Sequence, residues 1–204
     1  MSRTKIKTAS IATDAVTSAK IPANAIGSSE IDLTANYTFT GNVASPGQVI
    51  QIVQGIKTDT FTSNSQTTFV DIGLSVAITP SSASSKILIA YRVCSGIVSG
   101  GYGCALILVR GSTNIALGDA DSNKTRVTTM AQSGNSGAAG YQVYYQAQDF
   151  LDSPSTTSAT TYKLTARGWN SSAGSFYINR SATESDTASF TRPISTITAM
   201  EIAQ

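Results

Sequence analysis

Two hydrophobic patterns divide the chain near residue 48. Before that point, branched apolar residues recur at every fifth position, separated mostly by Thr, Ser, Ala, Asn, Lys and Asp. The residues of this pattern are Ile6, Ile11, Val16, Ile21, Ile26 and Ile31. From Gln48 onward, short segments rich in branched and aromatic residues alternate with turns rich in Ser, Gly, Pro and Asn. The first pattern predicts an extended segment, and the second predicts a folded domain.

A period of five fits neither an α-helix nor a flat β-strand. Residues five apart are about 500° apart around a helix, so their side chains would drift around it without forming a stripe. On a strand, an odd spacing sends successive apolar side chains to opposite faces. One apolar residue in five is too few for a core. The segment therefore needs partners to bury these side chains.

We predict that residues 1–35 form an extended repeat segment that serves in trimerisation and attachment. Its apolar side chains could face an axis shared by three copies, or the groove of another protein. A decapeptide repeat is visible inside it, where IATDAVTSAK is followed by IPANAIGSSE. Residues 36–47 are predicted to be a polar linker that ends at Pro46 and Gly47.

Residues 48–204 predict an all-β head domain. The segment KILIAYRVC has two largely apolar faces, which is typical of an interior strand in a two-layer structure. The segments TYKLTARGW and YQVYYQAQDF alternate with the period of two expected for strands. In YQVYYQAQDF, one face of the predicted strand carries Tyr141, Val143, Tyr145 and Ala147. The other face carries Gln142, Tyr144, Gln146 and Gln148. Strands recur roughly every 10–15 residues without an amphipathic helix, which indicates a sandwich or a barrel.

The amino-acid composition narrows the classes of function that this protein could have. Only 13% of the residues are charged, against about 25% in an average soluble domain. A surface rich in Ser and Thr on such a chain is typical of secreted, surface or virion proteins. The net charge of +2 indicates neither nucleic acid nor a membrane surface as partner. The sequence contains neither a transmembrane run nor a signal peptide, so we expect it to remain in the cytosol unless it leaves within a larger assembly.

The sequence offers no strong catalytic or metal-binding set. Histidine is absent, which removes the commonest general base and the commonest metal ligand. Paired carboxylates such as Asp119 and Asp121 could serve glycoside hydrolysis, and GDADSN at 118–123 could hold calcium, but both lie in turn-like sequence. We therefore predict no enzyme activity, no catalytic residues, no cofactor and no metal.

Two cysteines, Cys94 and Cys104, flank the glycine-rich stretch SGIVSGGYG, which predicts a hairpin loop. A disulfide across such a hairpin is geometrically conceivable. Without a secretory signal, two free thiols are the favoured interpretation.

Three residues are candidate receptor contacts: Tyr102, Trp169 and Asn170. Tyr102 is predicted at the apex of the glycine-rich loop, and Trp169 at a strand end that enters a turn. Aromatic faces stack on sugar rings, while polar neighbours such as Asn170 bind hydroxyl groups. The favoured interpretation of Trp169 itself is that it fills the end of the core, and a receptor contact is the alternative.

Several long phrases of the sequence resemble a family of bacteriophage virion proteins, common in phages of aquatic bacteria and cyanobacteria. The phrases span about residues 48–204 in a common order: FVDIGLSVAITPSSASSKILIAY, LVRGSTNIALGDA, FLDSPSTTSATTYKL, YINRSATESDTASF and STITAMEIAQ. The stretch IATDAVTSAKI is separately similar to repeats in phage fibre shafts and attachment segments. The resemblance supplies no catalytic residues.

The resemblance implies a homotrimeric tail fibre or tail-tip protein. Residues 1–35 would join other tail or baseplate proteins, and a jelly-roll-like β-sandwich at 48–204 would bind a glycan or protein on the host surface. The chain would then be located in the phage tail of a virion assembled in the host cytoplasm, without binding nucleic acid or inserting in a membrane. The alternatives are a capsid decoration protein and a glycan-degrading tailspike enzyme.

Overall fold

The computed structural model describes residues 45–98, 102–133, 140–169 and 174–204. Within these ranges the chain forms eleven β-strands and no α-helix, which confirms the all-β class. The strands are β1 (Val49–Lys57), β2 (Phe61–Ser63), β3 (Val70–Ile78), β4 (Lys86–Ile97), β5 (Gly103–Arg110), β6 (Thr113–Ile115), β7 (Thr129–Gln132), β8 (Val143–Asp152), β9 (Thr160–Trp169), β10 (Phe176–Ile178) and β11 (Ser195–Ile202). The predicted repeat segment, residues 1–35, lies outside the described residues and stays a prediction.

The strands form two antiparallel sheets. In sheet A, β4 is flanked by β8 on one side, and by β11 and β10 on the other, with β1 beyond β11 and β2 beyond β10. In sheet B the order is β3-β9-β5, and both β6 and β7 pair with the far side of β5. The order β1-β11-β4-β8 in one sheet and β3-β9-β5-β7 in the other is that of a jelly roll, an eight-stranded sandwich of two Greek keys. The predicted jelly-roll-like sandwich is confirmed.

The core lies between the two sheets and follows the alternation of the sequence. On β4, the side chains of Ile87, Ile89 and Val93 are fully buried, and on β9 those of Tyr162 and Leu164 are too. Fully burying a large apolar side chain contributes about 1.5–3 kcal/mol to stability. The strict period of two on these strands therefore determines which faces turn inward.

Strand β8 turns the more polar of its two faces inward. Gln146 and Asp152 are 5% and 6% exposed, whereas Tyr145 is 65% exposed. Each of these two side chains has a partner: Gln146 Nε2 donates to Ser95 Oγ at 3.2 Å, and Asp152 binds an arginine. Gln146 Oε1 accepts no hydrogen bond from a described residue. The predicted alternation is present. Because tyrosines occur on both faces of β8, hydrophobicity alone does not identify which face is buried.

The predicted hairpin between Cys94 and Cys104 is wrong. Cys94 lies on β4 of sheet A and Cys104 on β5 of sheet B, so the chain crosses between the sheets at this point. Both thiols are free and buried, in agreement with the favoured interpretation. Burial raises the pKa of Cys94 to about 11 and that of Cys104 to about 12, which keeps both thiols protonated at neutral pH.

A buried carboxylate joins the two sheets at one corner of the sandwich. Asp152 on β8 accepts two hydrogen bonds from Nη1 of Arg110 on β5, at 2.8 and 2.9 Å. It also accepts one from the hydroxyl of Tyr162 on β9, at 2.6 Å. Burial and the adjacent carboxylate raise the pKa of Tyr162, so its hydroxyl remains a donor. The cluster is a cross-sheet link rather than a reactive site.

A second buried carboxylate holds the turn between β3 and β4. Glu201 on β11 is fully buried. It accepts hydrogen bonds from the backbone N–H and the hydroxyl of Ser81, at 2.7 and 2.6 Å, and from Nε2 of Gln51 at 2.6 Å. Burial alone would raise the pKa of Glu201, but these hydrogen bonds outweigh it and lower the pKa to about 2.

This arrangement predicts that Glu201 stabilises the fold in a pH-dependent way. Because its pKa falls from 4.5 to about 2 on folding, its contribution is complete above pH 4.5 and is lost as the pH falls toward 2. Glu201→Gln should lower stability by about 1–2 kcal/mol at neutral pH, since the new amide cannot accept from Gln51. Urea unfolding of both proteins should show their difference shrinking as the pH falls through this window. A difference independent of pH would contradict the assignment.

Candidate interaction face

The outer face of sheet A carries an apolar row that crosses four strands, with its two end residues exposed and its two middle residues half-buried. The strand register places four outward side chains side by side, from β1 through β11 and β4 to β8: Ile52, Met200, Leu88 and Leu151. Ile52 is 62% exposed and Leu151 is 48% exposed. Side chains that are directly opposite on paired strands point to the same face and contact each other. We call these four residues the apolar row.

The apolar surface extends beyond this row toward the start of β1. Val49 pairs with Ile202 next to the row, and Val49 is 45% exposed. The chain enters this part of the sheet through a turn, in which Gln48 N donates to Ser45 O and Gly47 N donates to Ala203 O. The described part of the chain thus begins beside the apolar row.

A shallow groove of about 570 Å³ lies on the other side of the row. Small side chains such as Ala90 and Ala147 line it, together with Gln54, whose Nε2 donates to Thr198 Oγ1 at 2.9 Å. Arg92 and Asp149 also line the groove, and both are exposed. Neither forms an ion pair with another described residue.

The outer face of sheet B is polar by comparison. Outward positions of β3 and β9 carry Ser75, Thr161 and Lys163, and Lys163 pairs with Asp71 at 3.0 Å. Its outward-facing Ala77, on β3, is a small exposed side chain. The exposed apolar row is therefore a property of one sheet, not of the domain surface in general.

The candidate receptor contacts Tyr102 and Trp169 are close in the ladder but face opposite sides of sheet B. Gly103 pairs with Trp169. Tyr102 is partly buried against the core, and its ring packs over Gly174. Asn170 lies outside the described residues. Of the two described candidates, Trp169 is the more exposed.

Trp169 belongs to a small cation–aromatic cluster. Its side chain is 37% exposed, and the guanidinium of Arg167 lies 5.6 Å from its ring and 5.1 Å from the ring of Phe69. Trp169 is not part of the hydrophobic core, so the favoured interpretation, in which it fills the end of the core, is wrong.

The acidic residues considered for catalysis or metal binding do not gather into a site within the described ranges. Lys124 forms an ion pair with Asp121 in the GDADSN turn. In those ranges, no group of three or more Cys, Asp or Glu side chains is placed to hold a metal ion. Nor does any helix in the described residues have the length and hydropathy needed to cross a membrane.

The apolar row was not predicted from the sequence. The segment QVIQIVQGIK is dense in branched residues on both faces, which signals that β1 has more apolar side chains than one core requires. The row itself depends on the register of four strands that are far apart in sequence, and no local pattern reports that register.

No protein-family model matches this chain, and no curated protein matches it significantly. Among solved structures, it is similar to infectious bursal disease virus, Gt strain, with 13% identity and a TM-score of 0.41, over 83% of this chain and 42% of that one. It is also similar to the VP2 subviral particle of infectious bursal disease virus, with 11% identity, a TM-score of 0.38 and the same coverage. The chain therefore spans about two fifths of the length of these viral chains. Neither similarity is high enough to assign a function.

Proposed function

We propose that this chain is a structural protein of a virus particle, and more specifically a homotrimeric phage tail fibre or tail-tip protein. The observation that carries the proposal is the apolar row on the outer face of sheet A. Contiguous exposed apolar patches on soluble domains mark sites of interaction with other proteins. A domain built in this way is suited to assembly.

The fold and the sequence support the same proposal independently. Jelly rolls occur in viral capsid proteins, lectins and cupins, so this fold is compatible with a virion role without assigning one. The phrases that resemble phage virion proteins cover the whole sandwich. Residues 1–35 would attach the trimer to the tail, because their period-five apolar residues require partners.

The head domain would bind the host surface through the Trp169 cluster. An exposed indole ring beside a guanidinium offers a stacking plane and hydrogen-bond donors, a combination that suits sugars. In this proposal the protein has no catalytic role. The two buried carboxylates, Asp152 and Glu201, are already engaged by neighbouring side chains.

Antibody labelling of intact particles tests the virion role. We expect label at the tail tip or on fibres. Label on the capsid shell would favour a decoration protein, and absence of label from particles would overturn the proposal. Incubation of the purified protein with host polysaccharide should leave the chain length of the polysaccharide unchanged. Shortened chains would favour a glycan-degrading enzyme.

Binding of the purified protein to host cells tests the role of Trp169. Trp169→Ala should weaken binding by about tenfold or more, since one lost aromatic contact changes each site modestly and several sites act together. Tyr141→Ala is the matched control, because Tyr141 is an aromatic residue with 60% exposure outside the cluster. Equal binding by both variants would exclude Trp169 as a receptor contact.

A further inference from the structure

We infer that the apolar row is the surface through which the head domain contacts a second copy of this chain. This inference extends the proposed function, and it takes one premise from it, namely that the chain forms a homotrimer. It assigns the contact between heads to Ile52, Met200, Leu88 and Leu151, together with the groove beside them.

The shape of the surface favours a protein over a small ligand. The row crosses four strands, which span about 14 Å at the usual spacing between strands. The neighbouring groove is shallow, and its lining combines Ala and Thr side chains with few charges. Deep enclosure, which small-molecule sites provide, is not a property of this face. A flat apolar strip with an adjoining shallow groove matches the surface of another folded domain.

The charges on the face favour a copy of the same chain. Arg92 and Asp149 are exposed on neighbouring strands, and neither forms an ion pair with another described residue. A second copy supplies one partner of opposite sign for each.

The position at which the preceding chain joins the fold supports the same partner. The 44 residues before Ser45 are covalently joined to the sandwich at the turn beside Val49 and Ala203. If residues 1–35 bring three copies together, this end of sheet A is the part of each head that is tethered to the others. Tethering raises the effective concentration of one head near another, so a modest contact becomes populated.

Photo-crosslinking of the full chain tests the inference. A photo-reactive residue replaces Leu151, and ordinary and isotope-labelled copies are mixed during refolding. We expect crosslinked peptides that join an ordinary copy to a labelled one, with the second site on the outer face of β1, β4, β8 or β11. The same photo-reactive residue at Ala77, on the outer face of sheet B, should give no such product. Crosslinks that reach residues 1–44 instead, or none between copies, would overturn the inference.

A second substitution tests whether the apolar row itself makes the contact between copies or only lies close to it. Ile52→Glu should lower the crosslinking yield at residue 151 by about tenfold, since charge in an apolar contact is unfavourable. Its circular dichroism spectrum should match that of the parent, because within one copy the side chain is already 62% exposed and the fold does not depend on it. An unchanged yield would show that the row is not the contact surface.

The two proposals fail in different experiments. If particles carry the chain but Ile52→Glu leaves crosslinking unchanged, the contact surface is wrong and the virion role stands. If Ile52→Glu abolishes crosslinking but particles lack the chain, the contact surface stands and the virion role is wrong.

Discussion

Replacing Gly55 with alanine is expected to destabilise the β-sandwich by about 3 kcal/mol or more, because β1 of sheet A and β3 of sheet B touch at this residue. A Cβ added to Gly55 would overlap the backbone carbonyl oxygen of Ser75 and would also press on the side chain of Ile197. A backbone atom cannot move aside as a flexible side chain does, so the two sheets would have to separate along this edge.

Urea unfolding followed through the fluorescence of the single tryptophan, Trp169, measures this effect. The matched control is Gly118→Ala, since a Cβ there meets no atom within 4 Å. The control should change stability by no more than about 0.5 kcal/mol. Similar stabilities for the two variants would show that β1 and β3 do not make this close approach.

Asp152→Asn is expected to destabilise the domain by about 2–3 kcal/mol. The substitution keeps the size of the side chain but removes the charge that Arg110 faces, and a single amide cannot accept all the hydrogen bonds that the carboxylate accepts. Arg110 is 29% exposed, so water compensates part of the loss and limits the cost. The expected result is a lower urea midpoint with an unchanged slope.

Tyr162→Phe provides the comparison for Asp152→Asn. It removes one hydrogen bond to the carboxylate and leaves the pair with Arg110 intact, so we expect a loss of about 1 kcal/mol. The order of the two effects is the critical result. If Tyr162→Phe were as harmful as Asp152→Asn, the hydroxyl rather than the ion pair would dominate the link between the sheets.

Local sequence patterns were sufficient to predict the buried face of strands whose two faces differ in polarity. On β9, apolar Tyr162 and Leu164 alternate with polar Lys163 and Thr165, and the structure buries the apolar set. On β4, the apolar residues at Ile87 and Ile89 extend over most of the strand, which indicated an interior position, and the strand is paired on both sides. In both strands the hydrophobic effect acts on the residue itself, so the sequence reports it directly.

Local patterns failed where a polar side chain finds its partner far along the chain. Nothing next to Asp152 in the sequence indicates that Arg110 will neutralise it from the other sheet. The crossing between Cys94 and Cys104 was missed for a related reason. A glycine-rich connection fits a hairpin and a passage between sheets equally well, and the pairing of β4 with β11 and β8 decides between them.

The residues of the candidate site were also predicted only in part. The sequence favours Trp169 as a residue that fills the end of the core, but the structure leaves its side chain 37% exposed. The inward orientation of Tyr102 was not predicted either, because its loop contains four glycines and no clear period. The apolar row could not be predicted at all, since its members come from strands that begin at Val49, Lys86, Val143 and Ser195.

The inward polar face of β8 also affects how the protein behaves when crowded. Strand β8 pairs only with β4 among the described strands, so its other backbone edge is a template onto which a foreign strand could add. Inward-pointing polar residues, here Asp152 and Gln146, are among the devices that discourage such addition on edge strands. At high protein concentration, this edge would limit fibrillar aggregation and leave ordered contact to the flat face of the sheet.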